Sequence, residues 1–136
     1  MYNEKSFQTI INDDLGETSQ KYFREIKNFK SLSKEKEHEL FEKYKNEHDI
    51  KARNELITSN LKYACSIANA YRGRGLSFME LISEANKGLI DALDKFDSNN
   101  DVKFYCYAKW WIIQRVQAAV DERNNDNDKV ISQNEA

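Results

Sequence analysis

The sequence predicts an all-α fold, a compact bundle of about five helices. Its 136 residues include no proline and only four glycines, so few residues interrupt a helix. Apolar side chains recur every three to four positions through most of the chain, the period of an amphipathic helix. Hydrophobic residues make up 40% of the chain, enough for one domain with a real core. We place this domain at residues 18–122, between a polar lead-in (1–17) and a polar, non-periodic tail (123–136) expected to be disordered.

The first half of the domain contains three predicted helices. The first runs from about Ser19 to Phe29 and has Tyr22, Phe23, Ile26 and Phe29 on one side. The second begins after Ser33, a good N-cap that two acidic residues follow within the first turns. The third is long, about Ile50 to Arg72. Its apolar residues follow a 4-3-4-3 spacing: Ile57, Leu61, Ala64, Ala68 and Tyr71.

Two further helices complete the predicted bundle. The fourth begins with a capping box, Ser77 at the cap and Glu80 three residues on, and continues to Phe96. A turn-forming segment, DSNND at 97–101, follows it. The fifth helix runs from about Val102 to Glu122. Helices three, four and five are expected to supply the main core.

The fifth predicted helix carries both tryptophans side by side. Adjacent helical residues point about 100° apart, so Trp110 and Trp111 cannot both face one core. Trp111 shares a register with a stripe expected to be buried: Phe104, Ala108, Val116 and Ala119. Trp110 shares a register with flat rings, amides and one cation: Lys103, Tyr107, Gln114 and Gln117. Such side chains stack on bases and bind their edges, although a partly buried aromatic cap on the bundle would give the same pattern.

Composition narrows the function classes. The net charge of −2 argues against a protein that is basic overall, so any contact with DNA must be local or assisted by a partner. Cys65 and Cys106 match no metal or disulfide spacing and are expected to be buried thiols, while His38 and His48 are expected at the surface. We find no membrane-length apolar run, no secretory leader and no catalytic or cofactor motif, which predicts a cytoplasmic protein that is not an enzyme.

A stretch of some 60 residues resembles region 2 of bacterial sigma-70-type sigma factors. The shared positions occur in the family's order and spacing: Asn60-Leu61, Arg74-Gly75-Leu76, Leu81-Ile82, Glu84, Asn86, Gly88-Leu89, Asp94-Lys95-Phe96, Lys103-Phe104, Tyr107-Ala108, Trp110-Trp111-Ile112 and Gln114. Residues 18–46 resemble, more weakly, the short helical region 1.2 that precedes region 2. The resemblance covers about residues 18–122 and implies the helical fold of that domain.

The resemblance implies that the fourth predicted helix docks on the clamp helices of the largest RNA polymerase subunit. The matching positions are Glu80, Glu84 and Asn86, with Ser83 and Ile90 nearby. This helix is acidic, which suits a basic partner surface and would repel DNA. On composition alone, the same acids would only keep an exposed helix face soluble.

The resemblance also implies that the fifth helix recognises a −10-like promoter element and holds its non-template strand open. Tyr107 matches the residue that stacks on a flipped adenine, Trp110 and Trp111 match the pair at the upstream edge of the melted segment, and Gln114 matches the reader of the last paired base. Lys103 and Lys109 can contact phosphates. Asn60, Leu61 and Lys62 match the place where relatives hold another flipped base. Gln117 and Arg74 complete the candidate DNA-binding residues.

Several positions depart from the family. Residues 98–102 replace an arginine-rich aromatic loop, Tyr105 and Cys106 replace a serine and a threonine, and Gln117 and Ala118 replace a threonine and an arginine. These changes remove positive charge or known contacts, so intrinsic DNA affinity is expected to be weak. Nothing after Glu122 resembles the family's linker or its helix-turn-helix. The chain is therefore expected to be either a minimal factor, as in a phage or mobile element, or a fragment.

Three possibilities for the function remain open from the sequence. The first is a minimal sigma factor that binds polymerase core and opens −10-like DNA, with a separate protein supplying upstream promoter contacts. The second is a polymerase-binding regulator that competes with the host sigma factor without productive promoter opening. The loss of basic residues favours the second, and the retention of Tyr107, Trp110, Trp111 and Gln114 favours the first. A helical domain with an unrelated role is the third possibility.

Overall fold

The computed structural model describes residues 17–99 and 101–135, with side chains for 19–99 and 101–127. This part of the chain forms six α-helices and no β-strand, which confirms the predicted all-α bundle. The helices are α1 (Glu17–Ile26), α2 (Lys34–Glu47), α3 (Ile50–Thr58), α4 (Leu61–Asn69), α5 (Phe78–Lys95) and α6 (Phe104–Glu135). All of the predicted lead-in except Glu17 lies outside the described residues.

The centre of the fold is the packing of α5 against α6. A Cβ atom added at Gly88 would lie 2.8 Å from both the Cα of Ile112 and the carbonyl oxygen of Trp111, so the two backbones approach closely there. The buried face of α6 is a row four residues apart, Phe104, Ala108, Ile112, Val116 and Val120. Trp111 and Ala119 are half-buried at its edge, so their predicted place in the buried stripe is confirmed only in part: Trp111 packs against the core without being fully buried. The position at which α5 approaches decides whether residue 111 or 112 is covered.

The predicted third helix is two helices. Asn60 separates α3 from α4, and its buried side-chain amide donates a hydrogen bond to the Leu56 carbonyl at 2.8 Å. An asparagine amide that binds a nearby carbonyl offers the backbone an alternative to continuous helix. A single helix from Ile50 to Arg72 is therefore wrong, although its start at Ile50 is confirmed and its end moves back to Asn69.

Two predicted helix starts are confirmed by their caps. Ser33 Oγ accepts from the Lys36 amide at 3.1 Å. Ser77 and Glu80 form the reciprocal capping box, with bonds of 3.1 and 2.7 Å. Helix α1 ends at Ile26, and Phe29 is 37% exposed beyond it, so the predicted extension to Phe29 is wrong.

Helix α6 is longer than predicted. Its backbone stays helical to Glu135 instead of ending near Glu122, because no glycine or proline interrupts it. Arg123 also anchors this part of the helix through hydrogen bonds to the Gly75 carbonyl at 3.0 Å and the Glu80 carboxylate at 3.1 Å. The backbone of 123–135 is thus helical where the sequence predicted an irregular tail, and Ala136 lies outside the described residues.

The cysteines differ in environment. Cys65 is a buried thiol, as predicted, and burial raises its pKa. Cys106 is exposed on α6, so the expectation of a buried thiol is wrong there. His38 and His48 are exposed, as expected. Across the described residues, no helix is long and apolar enough to cross a bilayer, and no group of three or more potential ligands is placed to hold a metal ion.

Candidate nucleic-acid and polymerase interfaces

The most exposed aromatic ring of this region belongs to Trp110, which is 66% accessible on α6. Tyr107 lies one turn before it and Gln114 one turn after it, on the same side of the helix. Tyr107 is half-buried, and its ring centroid lies 6.2 Å from that of Trp111. The structure therefore brings Tyr107, Trp110 and Gln114 together, with Trp111 behind them at the edge of the core.

Tyr107 rests on a cluster of buried phenylalanines. We call Phe41, Phe96 and Phe104 the aromatic cluster; their three centroid separations are 4.9, 5.2 and 5.2 Å. The Tyr107 ring lies 5.3 Å from Phe96. Rings in tilted or edge-to-face contact stabilise each other beyond their buried area. Helix α2 and the end of α5 thus support the exposed side of α6.

Helix α2 also holds the first residue of α6. The buried Glu37 carboxylate accepts a hydrogen bond from the Phe104 amide at 2.8 Å, and the Lys103 ammonium donates to the Leu32 carbonyl at 2.9 Å. Desolvation by burial raises the pKa of Glu37, although the Phe104 hydrogen bond opposes this. Sequence reasoning missed this role because the partners lie 67 residues apart. One sequence feature could have indicated this contact: position 103, immediately before the helix, holds a lysine, which is not a capping residue.

The candidate phosphate-binding cations have different surroundings. Lys109 is exposed, and its ammonium lies 5.9 Å from the Trp110 ring centroid. Arg74 is exposed and stacks on Tyr71 at 5.0 Å. Lys103, in contrast, is half-buried and bonded to the Leu32 carbonyl. Lys109 is therefore the cation best placed to meet a strand that stacks on Trp110.

The other predicted DNA-binding residues are less available. Asn60 and Lys62 are only 6% and 8% exposed, and the Asn60 amide is used inside the α3–α4 junction. Gln117 is half-buried and donates to Asp121 at 2.9 Å. The structure therefore does not bring Asn60 and Lys62 to the surface with Trp110, and their role in DNA binding stays a prediction.

The acidic side of α5 carries the candidate polymerase-binding residues. Ser83 is exposed, and Glu84 and Ile90 are half-buried. Asn86 points its amide at the hydroxyl of Tyr22 on α1, with 3.2 Å between nitrogen and oxygen, so α1 borders this surface. Glu80 serves the capping box, and the hydrogen bond from the Ser77 backbone, with Arg123, lowers its pKa.

Several acids of α5 are paired within the molecule. Glu84 lies 3.1 Å from Lys87, Asp91 lies 3.3 Å from Arg115, and Glu80 lies 3.1 Å from Arg123. Asp94 accepts from the Tyr44 hydroxyl at 2.6 Å. Ion pairs at exposed positions are weak and easily exchanged, so a basic partner can compete for these carboxylates.

Comparison with known proteins identifies the family to which the chain is similar. Residues 56–125 match the sigma-70 region 2 family. The chain is 43% identical over 102 residues to the RNA polymerase sigma factor SigA of Clostridium acetobutylicum, covering 75% of this chain and 27% of that protein. It is 39% identical over 97 residues to the RNA polymerase sigma factor RpoH of Caulobacter vibrioides, covering 71% of this chain and 33% of that protein.

The chain thus spans about a quarter to a third of the length of these curated relatives. The family match includes α4, α5 and the part of α6 that carries the tryptophans, and it accounts for just over half of the chain. The protein belongs to the sigma-70 region 2 family.

Proposed function

We propose that this protein acts in transcription initiation as a sigma-type module without enzymatic activity of its own. It docks on RNA polymerase core through α5 and captures flipped bases of the non-template strand of a −10-like element on α6. The observation that carries the proposal is the exposed Trp110 beside Tyr107, on the helix that belongs to the matched family region. The site of action is the bacterial cytoplasm.

The α6 surface supplies the energy for base capture. Stacking of a base on an aromatic ring contributes roughly 1–3 kcal/mol, enough to offset the unpairing of a position or two. The tilted contacts of Tyr107 with Phe96 and Trp111 hold its ring in place before DNA arrives, which lowers the entropy cost of binding. No covalent chemistry is required, because strand opening is driven by binding.

The α5 surface supplies the docking to polymerase. Its candidate contact residues combine carboxylates at 80 and 84 with the exposed Ser83 and the half-buried, apolar Ile90. A basic, helical partner such as the clamp helices of the largest polymerase subunit fits this chemistry. Because the protein carries a net charge of −2, stable DNA capture requires the polymerase to contribute positive surface.

The competing function is a polymerase-binding regulator that does not open DNA. It is favoured by the burial of Asn60 and Lys62 and by the bonding of Lys103 to the Leu32 carbonyl, which engage three of the predicted DNA-binding residues within the fold. In this case the protein would occupy the sigma site on the polymerase without adding DNA affinity.

Fluorescence anisotropy of a labelled −10-like single strand distinguishes the sigma-type function from the regulator function. The strand is titrated with polymerase core from Clostridium acetobutylicum, with the protein, and with both, using wild type and Trp110→Ala. We expect tight binding only in the mixture and its loss in the variant. Co-elution with core but no gain in DNA binding would support the regulator, and no co-elution would refute both functions.

A further inference from the structure

A groove lies between the start of α5 and residues 119–126 of α6, which we call the groove segment. The groove has a volume of about 340 Å³, and it is lined by Leu76, Glu80, Ser83, Glu84, Ala119, Glu122, Arg123 and Asp126. Ala119 and Asp126 follow Trp110 by nine and sixteen residues, which places them roughly 160–180° around the helix from it. A partner in this groove would therefore leave the Trp110 side of α6 free for DNA.

The lining of the groove is mainly acidic. It includes the carboxylates at 80, 84, 122 and 126, together with the cation of Arg123. A cleft lined mainly by one sign of charge concentrates the electrostatic potential and attracts groups of the opposite sign. Leu76 and Ala119 add apolar surface, which suits the aliphatic part of a lysine or arginine side chain. The groove therefore fits a basic side chain of a protein partner and repels the phosphates of DNA.

Arg123 shows how the groove binds a guanidinium group. Its two terminal nitrogens donate hydrogen bonds to the Gly75 carbonyl at 3.0 Å and to the Glu80 carboxylate at 3.1 Å. The side chains of Arg123 and Glu80 are 40% and 47% exposed, and an ion pair so open to solvent is weak. A partner's arginine can therefore replace Arg123 at these acceptors, with Glu122 and Asp126 as additional acidic neighbours.

We propose that the groove segment of α6 forms the second wall of the polymerase-docking surface, where a basic side chain of the polymerase displaces Arg123. This inference rests on the proposed function, because it assumes that α5 docks on polymerase core. Glu80 and Glu84 line the groove and also belong to the α5 docking surface, so a basic helix that contacts α5 reaches both walls. The docking surface then includes Glu122 and Asp126 of α6.

The test measures binding of the full chain, labelled at its N-terminus, to polymerase core from Clostridium acetobutylicum by fluorescence anisotropy without DNA. Glu122→Gln and Asp126→Asn each remove one negative charge from the groove. Asp121→Asn is the matched control, because it removes the same charge from an adjacent exposed position that does not line the groove. Arg123→Gln removes the internal cation and keeps a donor for the Gly75 carbonyl. Circular dichroism verifies that every variant is folded.

We expect Glu122→Gln and Asp126→Asn each to weaken core binding by about two- to fivefold and to reduce its dependence on salt. Asp121→Asn should change the affinity by less than about twofold. Arg123→Gln should tighten core binding by about two- to fivefold, because no internal cation has to be displaced.

The sign of the Arg123→Gln effect separates the proposal from a purely structural role. If Arg123 only anchored α6, its replacement would weaken core binding or leave it unchanged, and that result would overturn the inference. Equal affinities of both groove variants and Asp121→Asn would overturn it as well, while wild-type binding to core would leave the proposed function standing. Absence of core binding by wild type would instead refute the proposed function.

Discussion

Gly88→Ala tests the packing on which both proposed interfaces depend. The added Cβ would lie 2.8 Å from the Ile112 Cα and the Trp111 carbonyl oxygen, and 3.1 Å from the Ile112 nitrogen. Comfortable contacts between carbon atoms are about 3.5–4.0 Å, so the helices must separate by roughly 0.7 Å or more. All three neighbours are backbone atoms, and no change of rotamer can relieve the overlap.

The expected cost follows from two opposing effects. Overpacking of a core contact lowers the free energy of unfolding by roughly 1–3 kcal/mol. Replacing glycine by alanine inside a helix raises it by about 1 kcal/mol, because alanine has the higher helix propensity. Because the overlap is with rigid backbone, we expect a net loss of about 1–2 kcal/mol in the free energy of unfolding at Gly88. For a domain of this size that lowers Tm by about 3–10 °C.

Urea and thermal unfolding followed by far-UV circular dichroism measure this loss. Ser83→Ala is the matched control, because it changes an exposed position of α5 without any overlap and should leave stability unchanged or slightly raised. Since the Trp111 carbonyl is one of the displaced groups, Gly88→Ala should also weaken strand capture while the protein is folded. A Gly88→Ala variant as stable as wild type would refute the close-approach argument.

Three further substitutions distinguish a residue that binds DNA at the surface from residues that stabilise the fold. Trp110→Ala should weaken strand binding with polymerase core by about 5- to 150-fold in anisotropy, while unfolding stability changes by less than about 0.5 kcal/mol, because the ring is exposed. Asn60→Ala should destabilise the fold by about 0.5–1.5 kcal/mol in urea unfolding, since the Leu56 carbonyl loses one donor and keeps the Ser59 hydroxyl, yet leave strand affinity of the folded protein unchanged. Burial raises the pKa of Glu37 in the fold above the ordinary value of 4.5, so wild type should lose stability relative to Glu37→Gln as pH rises from about 4.5 toward neutrality; a difference independent of pH would contradict this. The same comparison keeps an acceptor for the Phe104 amide in both proteins.

Local sequence patterns predicted the parts of the fold that depend on local chemistry. The caps at Ser33 and Ser77 are formed by residues three apart in sequence, and both are found as predicted. The contrast between Trp110 and Trp111 also follows from helical geometry, because adjacent residues must point in different directions. These features need no knowledge of the neighbouring helices.

The features that sequence reasoning missed depend on tertiary partners. Periodicity did not reveal the break at Asn60, since the apolar spacing continues through it and only the burial of the amide shows the competing bond. The predicted end of α6 is wrong because the polar sequence after Glu122 was interpreted as lying outside the helix. In the structure, Arg123 donates hydrogen bonds to Gly75 and Glu80. The Glu37 cap of α6 joins residues far apart in sequence, which no local pattern encodes.

The packing also bears on how polymerase and DNA binding would be coupled. The two proposed interfaces lie on α5 and α6, and these helices meet backbone to backbone at Gly88. So close a contact favours a rigid unit over two helices that slide past each other. Polymerase binding would then assist strand capture by adding positive surface and by holding α6 near the melted strand, rather than by reshaping the aromatic site. On this argument, Trp110→Ala should weaken DNA capture without changing affinity for polymerase core. A variant of Ser83 on α5 should weaken affinity for polymerase core and leave strand affinity unchanged once core is saturating.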